Sequence, residues 1–383
     1  MSGRPDLPDG PARDLPVFAV VTGGGTGGHV YPALAIADAL VARGHPRSTI
    51  RFLGSVRGLE ARAVPDAGYA IDLLPGRGLR RSLAPGAVVQ NLRTAVDTVV
   101  AFVRAVAIVR RLRPAVVVGV GGYAAAPGVV AARLWRVPTV VHEQNAAPGV
   151  VNRLAVALGA RAAVSLPGTP LRGARCTGNP VRAGIVAGAD GGDRAPSPGA
   201  PVVGVVGGSL GARRVNDAAL DLARGWRDRA GWTIRHVTGP RDYQRCVDGR
   251  ARWASTTDAL GHELVDYEED MAAFYRRSDV VVARAGAVTV AELAVAAVPA
   301  VLVPLPGAPS DHQGANARAL AAVGAAVVLP DAECDGARLA AELEALLADP
   351  DRLAAMRRAA RALARPGAAD AVADLVEGAV RAR

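Results

Sequence analysis

The sequence predicts an α/β protein built from two Rossmann-like, doubly wound domains that face each other across a cleft. Three observations carry that prediction. Short β-rich runs alternate with helical patterns along the chain, the signature of helices layered on a parallel sheet. Each half opens with the same device of strand, Gly-rich loop and helix: VVTGGGTGGHVYPA from Val20, and VGVVGGSLGARRVNDA from Val203. Between them, Gly184 to Ala200 loses periodicity to Gly, Pro, Ala and Asp, the composition of an interdomain linker. A chain of 383 residues is long enough for two cores.

The first sixteen residues, rich in Pro, Asp and Gly and lacking an apolar core, read as a disordered tail rather than a signal peptide. The first domain, 17–183, has strand candidates at Val17–Val21, Thr49–Leu53, Ala70–Leu74, Ala115–Val120, Thr139–His142 and Ala162–Ser165. Between the third and fourth, Leu92, Val96, Val99, Val103 and Val106 recur at spacings of four and three, which predicts an amphipathic helix packing on that stripe. After the linker, 184–200, the second domain spans 201–365. Its strands are expected at Val202–Val206, Thr233–Val237, Glu263–Val265, Val280–Val282, Ala300–Val303 and Ala326–Leu329, and a C-terminal helix at 366–383 closes the chain. The uncharged run Ala115–Ala132 approaches the length of a membrane span, but its Gly pair, Pro and β-branched start read better as strand, loop and helix.

The net charge of +10 is carried by arginine, since the chain contains no lysine. Base composition of the genome accounts for that first, and an anionic partner such as a membrane second. Aromatic residues are too sparse for stacking platforms, so no nucleic-acid partner is expected. Cys176, Cys246 and Cys334 are far apart and without metal-spaced neighbours, so neither a disulfide framework nor a zinc site is expected.

Several loops carry chemistry. Thr22–Pro32 offers glycines for close backbone approach and a helix N-terminus that attracts negative charge, so it reads first as a phosphate cradle. The dinucleotide fingerprint fails, because Leu53-Gly54-Ser55-Val56 holds no acid for a ribose, and the lysine-bearing P-loop is excluded. His29 ends the loop where the positive helix end favours a neutral imidazole able to accept a proton; hydrogen bonding within the loop is the plainer reading. His142-Glu143-Gln144-Asn145 follows a strand's carboxyl end, where ligands bind in such sheets. In RAGAVTVAE, Arg284 to Glu292, a helix starting near Val288 offers its N-terminus to a diphosphate, with Glu292 one turn in and able to accept two hydrogen bonds from a ribose diol. Asp311, His312, Gln313 and Asn316 begin another helix, and TGNPVR sets Arg182 beside the linker.

These pieces, with GGTGGHVYPALA at Gly24–Ala35, GGYAAAPG at Gly121–Gly128, GNPVR at Gly178–Arg182, GGSLGAR at Gly207–Arg213 and HQGANA at His312–Ala317, stand in one order and spacing. In that combination the chain, from about residue 17 to its end, resembles the MurG family of peptidoglycan glycosyltransferases. The resemblance implies the GT-B fold and transfer of N-acetylglucosamine from UDP-N-acetylglucosamine to the C4 hydroxyl of the N-acetylmuramyl unit of undecaprenyl-linked lipid I, with inversion. Another GT-B transferase using a UDP-sugar on a glycolipid or natural-product acceptor is the alternative. It further implies that Glu292 holds the ribose, and that Ser209 with Ala287, Val288, Thr289, Val290 and Ala291 at the helix start holds the diphosphate. Arg182 and the backbone near Glu268 then lie against the uracil, and Asn145 and Gln313 meet the sugar hydroxyls. Thr26, Gly27 and Gly28 face the transferred sugar and the acceptor, with His29 as candidate base. Leu210 stands where the family usually carries Gln. No paired-carboxylate metal site is visible, so no metal or other cofactor is expected. A lipid-linked acceptor places the enzyme at the cytoplasmic face of the cell membrane as a peripheral protein. Leu79, Arg80, Arg81, Leu83 and Val88, within Arg77–Arg93, mix apolar and basic side chains as an anionic surface requires.

Overall fold

The computed structural model describes residues 15–75, 85–188 and 200–382, with backbone alone for 85–93 and Pro309. In chain order the first half comprises β1 (Ala19–Thr22), α1 (Gly27–Ala42), β2 (Ile50–Ser55), α2 (Glu60–Asp66), β3 (Ala70–Leu74), α3 (Pro85–Leu112), β4 (Val116–Gly119), α4 (Ala125–Leu134), β5 (Thr139–Glu143), α5 (Val150–Ala157), β6 (Arg161–Val164) and β7 (Arg175–Cys176). A short α6 (Ala183–Gly188) overlaps the start of the stretch read as linker. The second half comprises β8 (Val202–Val206), α7 (Arg213–Gly225), β9 (Thr233–Val237), α8 (Tyr243–Ala251), β10 (Gly261–Val265), α9 (Met271–Arg277), β11 (Val280–Ala283), α10 (Ala287–Val295), β12 (Ala300–Leu302), α11 (His312–Ala322), β13 (Ala326–Val328), α12 (Gly336–Leu347), α13 (Pro350–Leu363) and α14 (Ala368–Arg381).

All twelve expected strands form. The two-residue β7 was not legible in the sequence, being too short for any periodicity. The strands make two sheets, seven-stranded in the order β3-β2-β1-β4-β5-β6-β7 and six-stranded in the order β10-β9-β8-β11-β12-β13. Every pairing is parallel: Val21 of β1 lies beside Phe52 of β2 and Val118 of β4, and Val205 of β8 beside His236 of β9 and Val282 of β11. The strand order reverses beside β1 in one sheet and beside β8 in the other, so both Gly-rich loops leave a topological switch point, where crevices open in such sheets. The run Ala115–Ala132 folds as β4, the Gly121–Gly122 turn and α4. Among the described residues no helix is long and apolar enough to cross a membrane.

Buried β-branched strands, with helices on both faces, form the cores. In the first domain α1 packs on one face through Ala33, Ile36, Ala37 and Leu40, beside Val372, Ala373, Val376 and Ala379 of α14. The last helix therefore returns to the first domain, and each fully buried valine there contributes about 1.5–3 kcal/mol. Arg43, at the end of α1, secures it through Asp374 at 2.7 Å and Glu377 at 3.4 Å.

On the other face, α3 departs from its expected packing. Val96, Val99 and Val103 are 58%, 62% and 65% exposed, while Ala101, Ala105 and Val109 are buried. Small side chains let α3 lie close on α4 and the sheet, which turns the larger valines outward. Leu134 and Trp135 are also exposed, and the Trp135 indole N–H donates to the Val106 carbonyl at 3.0 Å, joining the two apolar surfaces.

Candidate functional site

The first loop is shaped by a carboxylate absent from the sequence reading. Glu60, at the start of α2, is 1% exposed and accepts hydrogen bonds from the Gly25 N–H at 2.7 Å and the Ser55 N–H at 2.8 Å. It lies a few residues beyond Leu53–Val56, where the dinucleotide test looked for its acid. The Gly25 amide is thus already bonded to a carboxylate, which takes that one N–H out of the expected phosphate cradle. Thr26 is the exposed N-cap of α1, Gly27 is buried and Gly28 half-buried; the His29 and Val30 N–H groups both donate to the Thr26 carbonyl at 3.1 Å.

His29 stands in a chain of hydrogen bonds that settles its tautomer. Gln144 Nε2 donates to the Val120 carbonyl at 2.8 Å, so its Oε1, 3.2 Å from His29 Nδ1, requires that nitrogen to be the donor. The lone pair is left on Nε2, beside Gly122. His142 completes the chain, with Nδ1 3.1 Å from Gln144 Nε2 and Nε2 donating to the Gly178 carbonyl at 2.9 Å. Burial lowers the His29 pKa from its ordinary value, with the Glu143 charge opposing, and burial pushes His142 down to about 4. The hydrogen-bonded role and the capacity to accept a proton therefore coexist on the two nitrogens of His29.

Glu143 organises the loop after β5. It accepts from the Asn145 N–H at 3.0 Å, the Gly149 N–H at 2.9 Å and Asn152 Nδ2 at 2.8 Å. Asn145 also faces the second domain, because Asn316 Nδ2 donates to its Oδ1 at 3.1 Å while Asn316 Oδ1 accepts from the Ala146 N–H at 2.9 Å. Gln313 is held separately, its Oε1 accepting from the Leu305 N–H at 3.0 Å.

At the second switch point α10 starts at Ala287 after an N-cap at Gly286, one residue ahead of the expected start. Its first intrahelical bond is donated by Val290, so the Ala287, Val288 and Thr289 N–H groups precede it and point out of the helix end. Val290 is buried and Ala291 half-buried, so these two contribute backbone and packing. Ser209 is exposed in the turn after β8, beside Leu210, which is 50% exposed.

Glu292 is 2% exposed and bonded within the protein: Arg182 Nη2 approaches Oε1 at 2.9 Å and the Tyr275 hydroxyl donates to Oε2 at 3.0 Å. Burial raises its carboxyl pKa, with Arg182 and Tyr275 pulling the other way. Arg182 also lies 5.2 Å from the centroid of the Tyr31 ring. The Tyr31 hydroxyl spans the cleft to that of Tyr267 at 3.3 Å, and burial with that contact pushes its pKa up to about 12. The Glu268 side chain turns away to Arg235, at 2.8 Å, which leaves its backbone for ligand contact. Tyr31, Tyr267, Tyr275 and Asn152 were not singled out in the sequence, for isolated tyrosines and an amide inside a helix carry no spacing signal.

Among the described residues no group of three or more His, Cys, Asp or Glu side chains is placed to hold a metal ion. Leu79, Arg80, Arg81 and Leu83 lie outside the described residues, and Val88 is on α3 with its side chain outside them.

Two doubly wound domains, with facing switch points and a free helix N-terminus beside a buried carboxylate, define a GT-B glycosyltransferase. The chain belongs to glycosyltransferase family 28, whose N-terminal domain matches residues 19–164 and whose C-terminal domain matches residues 202–375. A protein of Alkalilimnicola ehrlichii named UDP-N-acetylglucosamine–N-acetylmuramyl-(pentapeptide) pyrophosphoryl-undecaprenol N-acetylglucosamine transferase is 44% identical, over 94% of this chain and 97% of its own. A protein of the same name from Desulforudis audaxviator is 40% identical over 94% and 97%. The crystal structure of Acinetobacter baumannii MurG superposes with a TM-score of 0.74 at 30% identity, covering 95% of this chain and all of that one. The calicheamicin glycosyltransferase CalG4, at 19% identity and a TM-score of 0.66, shares the fold.

Proposed function

We propose that the protein transfers N-acetylglucosamine from UDP-N-acetylglucosamine to the C4 hydroxyl of the N-acetylmuramyl unit of lipid I, by direct displacement with inversion. The observation that supports this reading is the His29–Gln144–Val120 chain, which leaves the His29 Nε2 lone pair beside Gly122, free to serve as a base for a poor hydroxyl nucleophile. The leaving UDP develops negative charge, and the fixed N–H dipoles of Ala287, Val288 and Thr289 meet that need without a metal. Glu292 takes the ribose hydroxyls once donor displaces part of its Arg182 and Tyr275 contacts, and the freed Arg182 turns to the uracil beside the Glu268 backbone. Asn145 and Gln313 address the sugar, Ser209 the diphosphate, and Thr26, Gly27 and Gly28 the acceptor side.

The product is a lipid-linked disaccharide for the growing wall, on which cell shape and division depend. Its polyprenyl carrier requires peripheral attachment to the cytoplasmic face of the cell membrane. The outward row Val96, Val99 and Val103, with Leu134 and Trp135 among Arg104, Arg110, Arg133 and Arg136, has the chemistry for an anionic surface. Of the expected Leu79–Val88 segment, Val88 stands on the same helix, α3.

Turnover of UDP-N-acetylglucosamine with a short-chain lipid I analogue tests the reading. Transfer is expected, and Glu292→Ala should weaken donor binding at least tenfold with the circular dichroism spectrum retained. Transfer to other glycolipid acceptors in preference to the lipid I analogue would overturn it.

A further inference from the structure

Glu60 is a buried carboxylate with two backbone donors, and no cation is paired with it among the described residues. Burying a charge without a counter-ion is costly, so such a group persists where its hydrogen bonds serve a purpose. One bond reaches back from α2 to Gly25 in the loop after β1, and the other to Ser55 at the end of β2. A Cβ at Gly24 or Gly58 would strike this carboxylate, and one at Gly54 would strike the Glu60 Cγ. Two stretches of chain, the loop after β1 and the end of β2 with the turn that follows it, are therefore glycine where they close around one side chain.

We propose that Glu60 is a positioning residue for sugar transfer. It holds Gly23–Gly28 in the one arrangement that presents Thr26, Gly27 and His29 to the acceptor hydroxyl. By occupying the Gly25 amide it also withdraws that one loop N–H from any ligand. The inference deepens the transfer reading of the first-domain loop and rests on it.

The test is Glu60→Gln. An amide has one acceptor oxygen, so its NH2 group must face either the Gly25 or the Ser55 N–H, donor to donor. Gly58→Ala is the companion variant, which keeps the carboxylate and displaces it. Both are expected to lower kcat with the lipid I analogue on the order of tenfold to a hundredfold, as small misplacements of reacting groups do. UDP affinity, measured by calorimetry, should stay within about twofold. A purely structural role would instead lower donor affinity, kcat and thermal midpoint together, and that result overturns the proposal. So does wild-type kcat in Glu60→Gln, or failure of both variants to fold. Absence of transfer by the unsubstituted chain would overturn the functional reading and this inference with it.

Discussion

At His29 only Nδ1 is tied to Gln144, and the base role proposed for Nε2 makes a pH prediction. Burial holds the imidazole pKa below its ordinary 6.5. A base must be neutral to accept a proton, so activity is present above its pKa and lost as pH falls through it. The acid limb of kcat/KM for the acceptor is therefore expected below pH 6.5. His29→Ala should remove that limb and lower kcat by about 10²–10⁴. Near-wild-type turnover by His29→Ala across the pH range would remove the base assignment. The sequence placed His29 at a helix start and Glu292 inside a helix, because glycines and β-branched runs mark those positions. What each side chain touches was not legible: Arg182 on Glu292, or Asn316 on Asn145, are contacts made only when the two halves close. Glu60 was missed for a related reason, since burial of a lone glutamate depends on three glycines distant from it or beside it in sequence.

Among the elements, α3 separates pattern from packing. Its period of three and four identified a helix correctly, but periodicity reports a stripe and not what covers it. Ala101 and Ala105 allow the close approach to α4, so the conspicuous valines point outward. Burying an exposed valine in an apolar phase contributes roughly 1.5 kcal/mol or more. Val99→Asp with Val103→Asp is therefore expected to weaken cosedimentation with phosphatidylglycerol vesicles at least tenfold, while the thermal midpoint stays within about 2 °C, because neither side chain supports the core. Unchanged cosedimentation would remove α3 from the membrane surface and leave the Leu79–Val88 segment as the candidate. The strands were the most legible elements, since parallel strands covered on both faces read as continuous apolar runs. The two-residue β7, which pairs at an edge through Arg175 and Cys176, had no such run.

For the molecule as a whole, three buried histidines couple folding to acidity. His142 and His236 are fully buried and His262 is 7% exposed. Burial holds their pKa values at about 4, about 3 and about 4 respectively, with the His236 and His262 rings stacked at 5.7 Å. In the unfolded chain each protonates as pH falls through its model value of 6.5, whereas the folded chain resists until these depressed values. Between those limits the unfolded state binds more protons, so stability is fully present above pH 6.5 and declines as pH falls toward 4. At pH 5, still above the ordinary carboxylate range, each histidine should have withdrawn about 2 kcal/mol. Because α14 lies in the first domain's core, and Asn316 and Arg182 join the two halves, the loss should register across the fold. Urea denaturation at pH 7.5, 6.5, 5.5 and 5.0 measures it. His262→Gln is the informative variant, since it removes one titrating ring while His236 keeps its bond to Asn216 at 3.0 Å. Its stability should fall less steeply with acid by about one proton, and an unaltered slope would exclude His262 from the coupling.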